Sequence, residues 1–129
     1  MKVYYAHCLG LYNTAQEVRD IHLLTRLGFE VINPNTPETQ EACDAIRTST
    51  PLGCDPGAEV MEYFRKFARE CDCLVFRALP DGSIPAGIAK EIDMFEREGK
   101  PIFELPSRIL ARTMTVGQTR QYLMECGYR

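Results

Sequence analysis

The stretch Ser83-Ile84-Pro85-Ala86-Gly87-Ile88-Ala89-Lys90-Glu91-Ile92 carries the residue most suited to chemistry, Glu91. The pattern predicts a helix from Pro85 to Glu98, and Glu91 falls in its early part. It sits about 60° around that helix from Ile88, so it flanks the apolar stripe. A carboxylate so placed either faces solvent or turns, half shielded, into a cleft. The nearby helix N-terminus favours its ionised form. Beside a sugar, an ionised carboxylate can attack an anomeric carbon or stabilise an oxocarbenium ion. Gly87 and Ala89 keep the helix start small enough for a ligand to approach the backbone.

A second constellation is Tyr4-Tyr5-Ala6-His7. Neighbours alternate across a strand, so the two phenols point to opposite faces and one of them could orient Glu91. The other reading is a core tyrosine with a satisfied hydroxyl. His7, at the strand end, is either a ligand contact or acid, or an ordinary loop histidine. His22 lies mid-helix and reads as surface or packing. Cys71 to Arg77 matches a C-x5-R phosphatase pattern, but the intervening Asp-Cys-Leu-Val-Phe wants to be a strand, not a phosphate cradle. The six cysteines, at 8, 43, 54, 71, 73 and 126, read as free thiols, and their spacing does not suggest a metal site.

These residues need elements to hold them. Lys2 to Ala6 is a first strand, and Thr14-x-x-Glu17 is a capping box opening a helix with Ala15, Val18, Ile21 and Leu24 at apolar spacing. Gly28 stops that helix. Phe29 to Ile32 is a second strand. Thr36-Pro37 starts a helix to about Thr48, and Asp55-Pro56 starts another with Val60, Phe64, Phe67 and Cys71 inward. Cys73 to Phe76 is wholly apolar, as a central parallel strand should be. Gly99 stops the Pro85 helix, and Pro101 to Leu105 is the next strand. Residues 106–114 read as helix or strand. Thr115-x-x-Gln118 caps a last helix with Tyr122, Leu123 and Cys126 as apolar positions.

Alternating strands and helices over 129 residues give one α/β domain, residues 1–129. It should be doubly wound and flavodoxin- or Rossmann-like, with a parallel sheet of four to five strands. Ligands of such sheets bind outside the carboxyl ends of the strands. That selects three segments. His7 to Asn13 offers His7, Gly10 and Tyr12; Asn33 to Asn35 offers Asn35; Arg77 to Gly87 offers Asp81, Ser83 and Gly87. A net charge of -3 without a basic stripe argues against nucleic acid as partner. No apolar run nears the ~18 residues of a membrane span, and the N-terminus lacks a signal-peptide pattern, so a cytoplasmic protein is expected.

The pairing of Lys2-Val3-Tyr4-Tyr5-Ala6 with Gly87-Ile88-Ala89-Lys90-Glu91-Ile92, and then Gly99-Lys100-Pro101-Ile102, resembles the nucleoside 2-deoxyribosyltransferase superfamily. That superfamily includes deoxyribosyltransferases and deoxynucleotide N-hydrolases. The resemblance covers about residues 2–105. It implies Glu91 as nucleophile, Tyr4 as the tyrosine positioning it, and Gly87 and Ala89 lining the sugar site. It matches Asp72 to an aspartate that, at the amino end of the central strand, is structural. It implies a small nucleoside or nucleotide as substrate, no metal or other cofactor, and a homo-oligomer in which a tail residue such as Tyr128 could complete a neighbour's site. Three positions depart from the superfamily pattern. Pro85 stands where Ser or Asp holds the sugar or its phosphate, with Ser83 nearby. Phe64 stands where an Asp binds the sugar, with Glu59 and Glu62 out of register. Asp93 follows Ile92 where Gly is usual. The alternative of another class is a protein that binds or senses a nucleotide derivative without catalysis.

Overall fold

The computed structural model describes residues 1–106 and 113–128. Its order is β1 (Lys2–Ala6), a short 3-10 turn (Leu9–Leu11), α1 (Ala15–Arg26), β2 (Glu30–Ile32), α2 (Pro37–Ser49), α3 (Gly57–Glu70), β3 (Cys73–Phe76), α4 (Ala86–Arg97), β4 (Ile102–Glu104) and α5 (Val116–Glu125). The four strands form one parallel sheet in the order β2-β1-β3-β4. The chain is therefore an α/β domain of doubly wound, Rossmann-like type. The two central strands, β1 and β3, pair from Val3–Cys73 to Ala6–Phe76. Winding runs outward from them in both directions, so their carboxyl ends flank the switch point where such sheets open a crevice.

Strand alternation divides the core. One face carries Tyr4, Ala6, Leu74 and Phe76 against Phe67, Ala68 and Cys71 of the α3 segment and Ile88, Met94 and Phe95 of α4. The other carries Val3, Tyr5, Cys73 and Val75 against Leu24 of α1 and Leu105. Both central strands are thus covered on both faces, which explains their apolar run. Tyr4 is sandwiched between Phe67 and Phe95, with ring centroids 5.1 and 5.7 Å away. Gly28 and Gly99 adopt φ of +93° and +69°, the left-handed turns that end α1 and α4. Lys100 follows and donates its ammonium to the terminal carbonyls of α3, Ala68 and Arg69, where the helix dipole is negative. Asp72 is exposed and accepts from the Lys2 amide at 2.7 Å, pinning β3 to β1 at the amino edge.

Several elements differ from expectation. The second strand begins at Glu30 instead of Phe29, and α4 begins at Ala86, with Pro85 as its cap. In α3, Phe67 and Cys71 are fully buried, while Val60 and Phe64 are only partly so, because they line an opening. The largest difference is α1. Ala15 and Val18 point outward, and the helix buries Glu17, Asp20 and Leu24. Only half of its capping box forms: Thr14 accepts from the Glu17 amide, but the Glu17 carboxylate turns inward. In α5 the box is complete, yet Tyr122 and Cys126 are exposed, and none of the helix's residues is buried. Of the ambiguous segment 106–114, residues 107–112 lie outside the described residues. Among the described residues no helix is long and apolar enough to cross a membrane.

Candidate functional site

At the carboxyl end of β1 a cleft of about 290 Å3 opens between the loop after β1 and the helices α2, α3 and α4. Glu91 reaches it from α4, Tyr12 and His7 from the β1 side, Phe64 from α3, and Cys43 and Arg47 from α2. A larger groove of about 390 Å3 runs outside, between α3 and α4. Its charged residues are surface groups, three of them in two exposed pairs, Arg65–Glu62 and Arg97–Asp93. Among the described residues the two buried polar side chains with an orphaned atom are Tyr4 and Glu91; neither lines that groove, and Glu91 lines the smaller cleft. The smaller cleft is the candidate site.

Those two atoms are Tyr4 Oη and Glu91 Oε2, each buried without a hydrogen-bond partner among the described residues. The strand presents Tyr4 to the α3–α4 face, directly under α4. Its phenol approaches Glu91 short of good hydrogen-bond geometry, yet near enough to favour the carboxylate's charged form. Burial is the larger effect and pushes Glu91 up to about 7. Burial first, and then the Glu91 charge, push the Tyr4 hydroxyl well above its ordinary range, so it is a neutral donor. Leaving a buried donor and acceptor unmatched costs about 1–3 kcal/mol per group.

His7 is buried beside the cleft, and its ring is already occupied. Nδ1 lies 3.1 Å from the Tyr5 carbonyl and Nε2 lies 2.7 Å from Glu17 Oε2. Burial alone would raise Glu17, but bonds from His7, the Asn35 amide and the Asn13 backbone hold it below the usual carboxylate range. Tyr12 packs tilted on His7 with centroids 4.7 Å apart. Its hydroxyl is raised by burial first, then by Glu91, Glu17, Cys43 and Cys8.

On the opposite face Tyr5 donates to Asp20 at 2.6 Å, and Arg77 forks onto both Asp20 oxygens at 3.0 and 2.5 Å. Arg77 also donates to the Pro106 carbonyl. Burial would raise Asp20, but Arg77, Tyr5 and Gln16 hold it down. Arg77 is therefore engaged in structure. Cys71 is buried at the end of α3, its thiol pushed up to about 11 by burial and then by Glu70. Cys73–Phe76 is a strand. The C-x5-R segment therefore forms no anion cradle.

Of the expected contacts, Glu91, His7, Tyr12 and Gly87 line the cleft, with Tyr4 beneath. The others lie elsewhere. Gly10 is exposed on the 3-10 turn. Asn35 is spent on Glu17 and Asn13. Asp81 accepts from both the amide and hydroxyl of Ser83 in an exposed turn. Pro85 and Phe64, the two departures from the superfamily pattern, both line the cleft. Glu17 and Arg47 went unread. Glu17 was read as part of a cap, and Arg47 was not singled out. The available signal was the i, i+3, i+7 spacing of Gln40, Cys43 and Arg47, which shares one helix face. Among the described residues no three His, Cys, Asp or Glu side chains gather as a metal site would need. Comparison with protein-family models, with curated proteins and with solved structures finds no match.

Proposed function

We propose that the cleft cleaves or transfers the N-glycosidic bond of a nucleoside or nucleotide. The observation that carries this reading is the buried, unpartnered Glu91 Oε2 over the unpartnered Tyr4 hydroxyl, at the switch point of a parallel sheet. The resemblance of the Tyr4 and Glu91 segments to the nucleoside 2-deoxyribosyltransferase superfamily supports it. The Glu91 carboxylate attacks C1′ as the C1′–N bond breaks. The base leaves with the bond's electron pair and takes a proton from water. Water, or a second base, then attacks C1′ of the glycosyl ester and frees Glu91. The Tyr4 hydroxyl, unpartnered in the free protein, turns onto the carboxylate in the complex and holds its orientation. His7 backs Tyr12 instead of delivering the proton, because both its nitrogens are held. A cytoplasmic homo-oligomer, with Tyr128 of one copy near another copy's cleft, belongs to the same reading.

The test is chromatographic detection of free base from ribo- and deoxyribonucleosides and their 5′-monophosphates, with and without an acceptor base. Base release or exchange is expected in the wild type, with a loss of at least about 10²-fold in Glu91→Gln. Because the nucleophile must be ionised, the rate should rise as pH climbs through about 7. A rate that falls there would make Glu91 a general acid instead. Phe64 and Pro85, apolar where the superfamily carries polar groups, favour a second reading, a non-catalytic binder of nucleotide derivatives. That protein would retain ligand without base release, and Glu91→Gln would leave its affinity unchanged.

A further inference from the structure

Helix α1 buries both of its acids, Glu17 and Asp20, so the only charges left on its outward face are Arg19 and Arg26. Aliphatic side chains share that face: Val18 is 66% exposed and Leu23 40%, with Leu27 at 65% just past the helix end. Among the described residues neither arginine makes an ion pair, and Arg19 donates only to the nearby Gln16, at 3.3 Å. A hollow of about 280 Å3 opens here, lined by Val18, Arg19, His22, Leu23 and Arg26. Four of these, Arg19, His22, Leu23 and Arg26, stand at i, i+3, i+4 and i+7. That is the spacing of the four-residue hole that receives a knob from a facing helix. Arg19 and Arg26 form its two ends, about 10 Å apart along the axis. All the lining residues belong to α1, so no other described element fills the hollow.

We propose that this face docks an acidic amphipathic helix of another protein. An apolar knob of the partner enters the hole, and acidic side chains one turn to either side of it meet Arg19 and Arg26. On a helix, positions i−4 and i+3 about a knob also lie about 10 Å apart, so both acids reach both arginines in one register. Burial of Val18 and Leu23 supplies the attraction, and the arginines choose the sign of the partner, since like charges brought together across an interface are costly. The same rule excludes the face as its own partner, because two copies of α1 laid face to face bring arginine against arginine. The chain's other helices supply no match. Apart from α1, the described α-helices expose large apolar side chains only on α5, which has a single acid, Glu125. The acidic face of α2, Glu38, Glu41 and Asp44, has only Ala45 beside it. An anionic membrane meets the arginines but has no side chain to fill the hollow.

The experiment is fluorescence anisotropy with two labelled synthetic helices of about three heptads. One carries Leu at the knob positions with Glu one turn to either side; the other has Lys in place of Glu. Wild type should bind the Glu helix at least about tenfold more tightly than the Lys helix, and less tightly as salt rises. Arg19→Glu with Arg26→Glu, at two exposed positions, should reverse the preference. Val18→Ser should weaken the Glu helix without reversing it. Both variants should keep the wild-type circular dichroism. Absence of saturable binding of the Glu helix, or a preference that survives the double reversal, would overturn the proposal. Two other occupants would overturn it as well. Co-sedimentation with phosphatidylserine vesicles without helix binding gives the face to a membrane, and an oligomer that dissociates on the double reversal gives it to a second copy. Base release enters none of these readouts, so the result stands or falls apart from the glycosyl reading.

Discussion

Glu91 binds its proton more tightly in the folded chain than in the unfolded one, because burial lifts it from the ordinary carboxylate range to about 7. The stability this gives is full below the unfolded value, near 4.5, and is lost as pH rises through about 7. At pH 8 the folded protein carries a buried charge. Glu91→Gln should therefore be more stable than wild type at pH 8, by an amount of order 3 kcal/mol, with the gap closing near pH 4. Thermal melts at the two pH values check this; a gap independent of pH would mean that Glu91 is solvated. Tyr4→Phe removes a buried hydroxyl that has no partner. It should leave stability unchanged or raise it by up to about 1 kcal/mol, while lowering turnover. A clearly lower melting temperature would show that the hydroxyl is satisfied in the free protein.

Among the elements, α1 is the unusual one. Its inward face holds two carboxylates, Glu17 and Asp20, where an apolar stripe would ordinarily sit. Asp20→Ala strands a partly buried arginine and a buried phenol, and should cost about 3 kcal/mol in urea unfolding. Both acids are held below their ordinary range, so their contribution is present above the unfolded value and is lost as pH falls through the folded one. Acid should therefore weaken α1 first. Here the sequence was least legible. Ala15, Val18, Ile21 and Leu24 satisfy a helical period, and so does the true face, Glu17, Asp20 and Leu24. Periodicity does not weigh an acid whose partners, His7 and Arg77, lie on other elements. In α3 and α4 the inward residues are apolar, and the caps of α2 and α5 are local: Thr36, Pro37 and Thr115 act within one turn of where they stand. The face of α5 was not legible, since none of its residues is buried.

At the scale of the molecule, the parallel sheet was legible because β3 is apolar throughout, β1 is buried after Lys2, and the turns carry glycine at positive φ. The strand order then makes a crevice at β1 and β3 unavoidable, and Glu91 follows from the helix after β3. The cleft's far wall was not legible. Arg47 and Phe64 reach it from two helices inserted between β2 and β3, whose placement no local pattern specifies. Assembly belongs to this scale too. If a neighbouring copy completes the cleft, activity per chain should fall on dilution, and Tyr128→Ala should lower it at every concentration. Activity that stays constant on dilution would show that one chain suffices.

The anchoring of α1 by acids also bears on the order of events in folding. Asp20 finds its partner Arg77 across 57 residues of chain, and only after β1 and β3 have paired and fixed the end of β3. Until then α1 has little apolar surface to dock with, because Val18 and Leu27 point away from the sheet. A contact that waits on distant strand pairing forms late and is weak in the transition state. Asp20→Asn should then leave the refolding rate nearly unchanged and quicken unfolding, a φ-value near zero in stopped-flow measurements. Helix α1 would be the last element to seat and the first to leave, and the loop that carries His7 and Tyr12 would share its timing.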